Sequence, residues 1–157
     1  MLKSISLGLF LSLAWASLTF ACTCLDRGKF KKYSKEQTVV RATVINYGPK
    51  LSHGKTLYAT MKVTVSEVIK GSYEFDSINF TGDPGHLCLT YIDSDIYSLG
   101  SEHLFIASSV GVDQGLAGCG EVSVSIADGK IHGAWWHREK WSEYSMDYDK
   151  FIRKITK

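Results

Sequence analysis

Cys22-Thr23-Cys24 stands directly after the apolar run Leu18-Thr19-Phe20-Ala21, and this junction divides the chain. Upstream, Lys3 supplies a positive start and Ile5 to Leu18 an apolar stretch broken only by small residues. Thr19 and Ala21 are small residues at the −3 and −1 positions of an export cleavage site. The run is short for a spanning helix, which needs about 20 apolar residues. Residues 1–21 are therefore expected to be a cleaved signal peptide, and residues 22–157 a single domain that begins with a cysteine. A terminal cysteine offers an α-amine, a carbonyl and a sulfur close together. With the sulfur tied into a disulfide, the amine and carbonyl become a rigid pair able to chelate a metal with an open position, such as catalytic zinc.

Bulk composition narrows the classes. The 157-residue chain carries a formal charge of +2, and its densest basic patch is Lys29, Lys31, Lys32 and Lys35. That is a solvated face rather than a nucleic-acid footprint, so no nucleic-acid partner is expected. All four cysteines (Cys22, Cys24, Cys88 and Cys119) follow the signal, and an even count in an exported chain argues for two disulfides. Three pairings are open. Two join the Cys-x-Cys pair to the distant cysteines. The third closes a tight ring between Cys22 and Cys24, which its strain disfavours. Each long loop would contribute about 4 kcal/mol in the chain-entropy account.

Along residues 25–37, Phe30 and Tyr33 are candidate inward anchors of a short helix or turn. β-Branched Thr38 to Ile45 reads as a strand, Gly48-Pro49 as its break, and Leu57 to Ile69 as a second, alternating strand. Asp76 to Thr81 is a third. Gly82-Asp83-Pro84-Gly85 is a turn that delivers Cys88, and His103 to Ala107 is a fourth strand. Val122–Ile126 and Ile131–Trp136 flank Asp128-Gly129, a strong hairpin signal. From about Arg138, the aromatic and apolar residues Trp141, Tyr144, Tyr148, Phe151 or Ile152, and Ile155 recur at three- and four-residue steps, which predicts an amphipathic C-terminal helix. The expected fold is mainly β: a closed antiparallel OB-type barrel with that helix as cover.

With these elements in place, the chain resembles the tissue inhibitors of metalloproteinases, and more broadly the netrin-like modules. The family opens on Cys-Thr-Cys and continues into a strand of pattern V-I-R-A-x-V, matched here by Val39-Val40-Arg41-Ala42-Thr43-Val44. Val68-Ile69-Lys70-Gly71 is similar to its "K-x-x-K-G" strand end, Leu87-Cys88 to its third cysteine region, His103 to Ala107 to its "F-L-I-A-G" strand, and Gly118-Cys119 to the following cysteine. The resemblance covers about residues 22–120 and implies the family's N-terminal inhibitory domain alone. It implies disulfides Cys22–Cys88 and Cys24–Cys119. It also implies a protease-binding ridge of Cys22, Thr23, Cys24 and Leu25 beside Gly85, His86 and Leu87. In the family, the Cys22 amine and carbonyl would bind the target's zinc in trans, and Thr23 would enter the adjoining side-chain pocket. Ser34 replaces a family cysteine, Asp26 replaces a proline, and the Asp128-Gly129 hairpin is an addition.

The expected function is thus a secreted or extracellular inhibitor (periplasmic in a Gram-negative host) of zinc metalloendopeptidases. It would be a monomer, not an enzyme, with no cofactor of its own and no membrane contact once processed. Three alternatives differ in what the terminus and fold would do. A netrin-like binding module without inhibitory activity would share the fold. A lipid-anchored envelope protein would need a lipobox, which Thr19-Phe20-Ala21 fits poorly. A redox Cys-x-Cys or a His132/His137 metal enzyme would lack a partner set. Asn79-Phe80-Thr81 is a glycosylation sequon placed on a strand. Trp135-Trp136 reads as packing, and Pro49 to Gly54 as a projecting hairpin tip.

Overall fold

The structure is a computed structural model and describes residues 29–118, 121–137 and 140–157. Its centre is β1 (Thr38–Tyr47), whose two faces are both buried at its start. Val40, Ala42 and Val44 point into one core with Met61, Val63, Ile78, Phe80 and Phe105. Val39 points the other way, into a core with Phe30, Leu104, Val124, Ile131, Phe151 and Ile155. Strict alternation of side chains along a strand makes this two-sided burial possible, and it forces both backbone edges of β1 to be paired.

Those edges are taken by β3 (Thr60–Lys70) and β6 (Glu102–Ala107), both antiparallel to β1. Next to β3 lies β4 (Ser77–Thr81), and β7 (Asp113–Gly115) runs parallel to β4. On the far side of β6 come β8 (Ser123–Ala127), β9 (Lys130–His137) and β10 (Lys140–Asp147). A separate two-stranded ribbon joins β2 (Leu57–Tyr58) to β5 (Ile92–Asp93). The helix α1 (Phe30–Tyr33) continues into a 3-10 turn over Ser34–Glu36, and α2 (Tyr148–Ile155) closes the chain. α2 buries Phe151 against Phe30, with ring centroids 5.9 Å apart.

The mainly β class holds, but three expectations are corrected. First, the barrel is not closed. β4 and β6 are three strand spacings apart, about 14 Å in a flat sheet, yet Phe80 and Phe105 have ring centroids 4.9 Å apart, so the sheet is rolled. Closure would need a ladder between β6 and β7. β8 already occupies that edge of β6, through the pairs Glu102↔Ile126 to Phe105↔Ser123. In place of a ladder, the Gln114 side chain reaches across: the Ser108 N–H donates to its Oε1 at 2.8 Å, and its Nε2 donates to Ser108 O at 3.1 Å. Second, the sheet is not wholly antiparallel, because β4 and β7 are parallel. Third, the C-terminal helix is short. Trp141 and Tyr144 belong to β10, which pairs residue for residue with β9 from Lys140↔His137 to Asp147↔Lys130. The helix begins only at Tyr148, where the Asp147 carboxylate caps it by accepting from Lys150 N–H at 2.9 Å.

The Asp128-Gly129 hairpin forms as expected. Both residues have positive φ (50° and 69°), as a type I′ turn requires. The sequon lies on β4, where Asn79 Nδ2 donates to Asp113 Oδ1 at 2.8 Å across the β4–β7 pair.

His103 is a core histidine. It is buried between the Tyr97 and Phe105 rings, and its Nε2 is 2.8 Å from Ser101 Oγ. Burial lowers its pKa from 6.5 to about 4. The native state therefore keeps it neutral while the unfolded chain takes up a proton below about pH 6.5. Stability should fall as pH drops through the window from 6.5 to 4, by at most about 3 kcal/mol from this group. Denaturant unfolding at stepped pH checks this: His103→Gln should flatten that part of the profile.

Candidate functional site

The expected ridge residues divide between described and undescribed parts of the chain. Cys22, Thr23, Cys24 and Leu25 lie outside the described residues, as do residues 1–21, expected to be a signal peptide, Asp26 and Cys119. Gly85, His86 and Leu87 lie within them and form an exposed segment at the end of β4, with Leu87 48% exposed. Cys88 follows in the left-handed region, at φ 56°, and is disulfide-bonded, its partner lying outside the described residues.

The segment is mounted on the rolled end of the sheet. At its near foot, Gly82 N–H donates to Ala59 O at 2.9 Å, and a Cβ on Gly82 would stand 2.8 Å from Ile92 Cγ1. Only glycine lets β5 approach this closely. At its far foot, Thr90 N–H donates to Leu116 O at 2.8 Å, and the Thr90 hydroxyl to Ala117 O at 2.7 Å. The feet are joined by Asp83 N–H donating to Thr90 O at 3.1 Å. The Asp83 carboxylate lies beneath the segment, with Oδ1 accepting from the N–H groups of Gly85 (2.6 Å), His86 (2.7 Å) and Leu87 (3.0 Å). Burial alone would raise its pKa. The backbone N–H bonds from Leu87, Gly85, His86 and Leu89 outweigh that and hold it below the usual carboxylate range.

The second cysteine region comes to the same place. Leu89 forms a β-bridge with Ala117, and a Cβ on Gly118 would stand 2.1 Å from Cys88 O and 2.6 Å from Cys88 C. Gly118 thus lies flat against Cys88, and Cys119 is the next residue in the chain. The 49–54 tip also leans this way: a Cβ on Gly85 would meet His53 Cε1 at 3.8 Å, and His53 contacts Tyr91 edge-on at 6.1 Å between centroids.

Two carboxylates here were not singled out from sequence. Asp83 had a readable signal, since aspartate before Pro-Gly commonly bonds the backbone ahead of it. Glu121 had none. It is buried, and its Oε2 accepts from Phe30 N–H at 2.7 Å and from the Tyr144 hydroxyl at 2.8 Å, so it fixes the start of α1 to the sheet. Burial pushes its pKa up against those bonds. Among the described residues, no three His, Cys, Asp or Glu side chains are grouped to hold a metal. His132 lies on β9 opposite Ser145, and the His137 side chain lies outside the description.

No protein-family model, curated protein or solved structure significantly matches the chain.

The Gly118 contact yields a direct test. Gly118→Ala drives a methyl into the Cys88 carbonyl, so the backbone on one side must move. We expect a loss of about 2 kcal/mol or more, read as a lowered denaturant midpoint under oxidising conditions. Gly129→Ala, with nothing within 4 Å of its Cβ, meets no such clash and should lose only the turn preference of its positive φ.

Proposed function

We propose that the chain is an exported inhibitor of zinc metalloendopeptidases, of the kind its N-terminal sequence resembles. Mature Cys22 would bind the target's catalytic zinc through its α-amine and carbonyl. Thr23 would fill the neighbouring side-chain pocket, and Gly85, His86 and Leu87 would form the second half of the contact. The observation that carries this reading is the packing of Gly118 on Cys88 beside that exposed segment. It sets Gly118, the residue that precedes Cys119 in the sequence, against Cys88, and the resemblance assigns Cys88 and Cys119 as the two anchors. A Cys-x-Cys terminus needs two such neighbouring anchors to lie flat.

The strand pairing supports the OB reading. β1-β3-β4 is an antiparallel meander, β6 pairs with the other edge of β1, and β7 adds in parallel to β4. These are the contacts of a five-stranded, partly open Greek-key barrel. β8 to β10 and α2 are then additions that extend the sheet and cover its second face.

The chemistry follows from the terminus. A disulfide-locked amine and carbonyl lose little freedom on binding. Occupying the zinc displaces the water that hydrolysis needs as its nucleophile. The amine must bind unprotonated. Free α-amines titrate at about 7.7–8.0, so affinity should fall by up to about tenfold per pH unit below that range.

Retaining Ala21 turns the amine into an amide, a poor zinc ligand, and places an extra residue against the metal. Protein starting at Cys22 should inhibit a zinc metalloendopeptidase, and the Ala21-extended form should fold but inhibit far less. Equal inhibition by both forms excludes chelation. Inhibition by neither across a broad panel leaves a binding module. Non-reducing peptide mapping of the same preparation should give Cys22–Cys88 and Cys24–Cys119. A Cys88–Cys119 bridge with Cys22 joined to Cys24 would remove the clamp on which the reading depends.

A further inference from the structure

Residues 84–89 are an excursion from the sheet whose two feet are pinned by backbone bonds while its tip stands in solvent. The tip is shaped from beneath by a single oxygen. Three consecutive N–H groups, those of Gly85, His86 and Leu87, converge on Asp83 Oδ1 at 2.6, 2.7 and 3.0 Å. Consecutive N–H groups turned to one point form a concave nest that favours an anion. Here the chain supplies that anion itself. Asp83 is 8% exposed, whereas Gly85, His86 and Leu87 are all exposed. Bonds from N–H to a charged acceptor are short and strong, and three on one atom leave the backbone little choice of dihedral angles. Gly85, at φ 118°, adopts a conformation that side-chain-bearing residues rarely reach, and the nest requires it there.

We infer that Asp83 is a positioning residue for partner binding. Its carboxylate holds the Gly85–Leu87 backbone in the one shape offered to a partner, so affinity depends on a side chain buried beneath the contact surface. The partner is taken from the inhibitor reading above; the claim about shape does not depend on it. Without the carboxylate the feet keep their own bonds to Ala59, Thr90 and Leu116, so the sheet survives. The tip then samples many conformations, and a partner must select one of them at an entropic cost to binding.

The experiment compares full mature chains starting at Cys22: wild type, Asp83→Ala and Asp83→Asn. Asparagine keeps the shape and one acceptor oxygen but loses the charge. Amide hydrogen exchange is followed at residues 85–87 and along β3 and β4, and inhibition is measured against the catalytic domain of a zinc metalloendopeptidase. Asp83→Ala should speed exchange at residues 85–87 and weaken inhibition, each by about tenfold or more, with β3 and β4 unchanged. Asp83→Asn should fall between wild type and Asp83→Ala in both, measurably short of wild type. The inference is overturned if Asp83→Ala leaves exchange at residues 85–87 unchanged, or loosens it without weakening inhibition. If Asp83→Ala does not fold, Asp83→Asn decides: exchange and inhibition both equal to wild type overturn the inference. If wild type inhibits nothing in the panel, the inhibitor reading falls and the exchange result alone decides the role of Asp83.

Discussion

The two-sided burial of β1 is the constraint on which the other elements depend. A strand covered on one face can have a free edge, and its partners can slip. At β1, Val40, Ala42 and Val44 fill one core while Val39 fills the other. A one-residue slip against either neighbour would exchange the two sets, moving arginine and threonine inward. The register with β3 and β6 is therefore fixed, and the bulges along the β1–β3 pair are local shifts in it that bend the sheet. Within β1, Arg41 pairs with Glu102 at 2.6 Å and lies over the Tyr148 ring at 5.4 Å, so the same strand also seats the start of α2. Being half-exposed, that ion pair contributes orientation more than stability.

The two cores serve different ends of the molecule. The first, with Phe80, Ile92, Leu116 and Tyr97, lies inside the rolled part of the sheet and directly supports the 82–90 excursion. The Tyr47 hydroxyl donates to Tyr97 O, and the Tyr47 ring stacks on Tyr58 at 4.4 Å, which ties the β2–β5 ribbon over the open end of the roll. The second core holds α1 and α2 on the outer face through Phe30 and Phe151. α1 is the first described element after the Cys-x-Cys segment, and Glu121 anchors its first N–H to the sheet. One core thus supports the exposed 85–87 segment, and the other holds α1 and α2.

Much of the fold was legible where local chemistry and tertiary need agree. β-Branched residues mark β1 and β3, and Asp-Gly marks the β8–β9 hairpin because only such residues accept two positive φ values cheaply. β7 was not legible. Asp113-Gln114-Gly115 has poor strand propensity and is a strand only because β4 offers it an edge. At β10 two periods coexist. Trp141, Tyr144 and Tyr148 fit helical steps. Tyr144, Met146 and Tyr148 alternate with exposed Glu143, Ser145 and Asp147 at the period of a strand. Pairing with β9 along eight residues decides for the strand. The open seam was likewise hidden, since which strand takes the second edge of β6 is settled by competition between β7 and β8. At the site, Asp83-Pro84-Gly85 announced a turn, but the convergence of three N–H groups on one oxygen is a property of the folded backbone.

Ser34 and Lys70 stiffen the corner where α1, β3 and α2 meet. Ser34 is fully buried, and its hydroxyl donates to Lys31 O at 3.1 Å, closing the end of α1 on itself. Its carbonyl accepts from Lys70 Nζ at 3.0 Å, and the same ammonium donates to Lys35 O at 2.6 Å and Ile155 O at 3.4 Å. One lysine at the end of β3 therefore gathers the 3-10 turn after α1 and the Ile155 carbonyl at the C-terminal end of α2, where a cation also complements the helix dipole. Charge-assisted bonds contribute about 1.5–3 kcal/mol each when sheltered and less when exposed, as the Lys35 bond is. Together they reach the order of a disulfide's about 2–4 kcal/mol. They act differently, however. A disulfide restricts the unfolded chain, whereas this clamp stabilises only the native arrangement. Its contribution is lost if β3, α1 or α2 separates, so these three elements should behave as one cooperative unit.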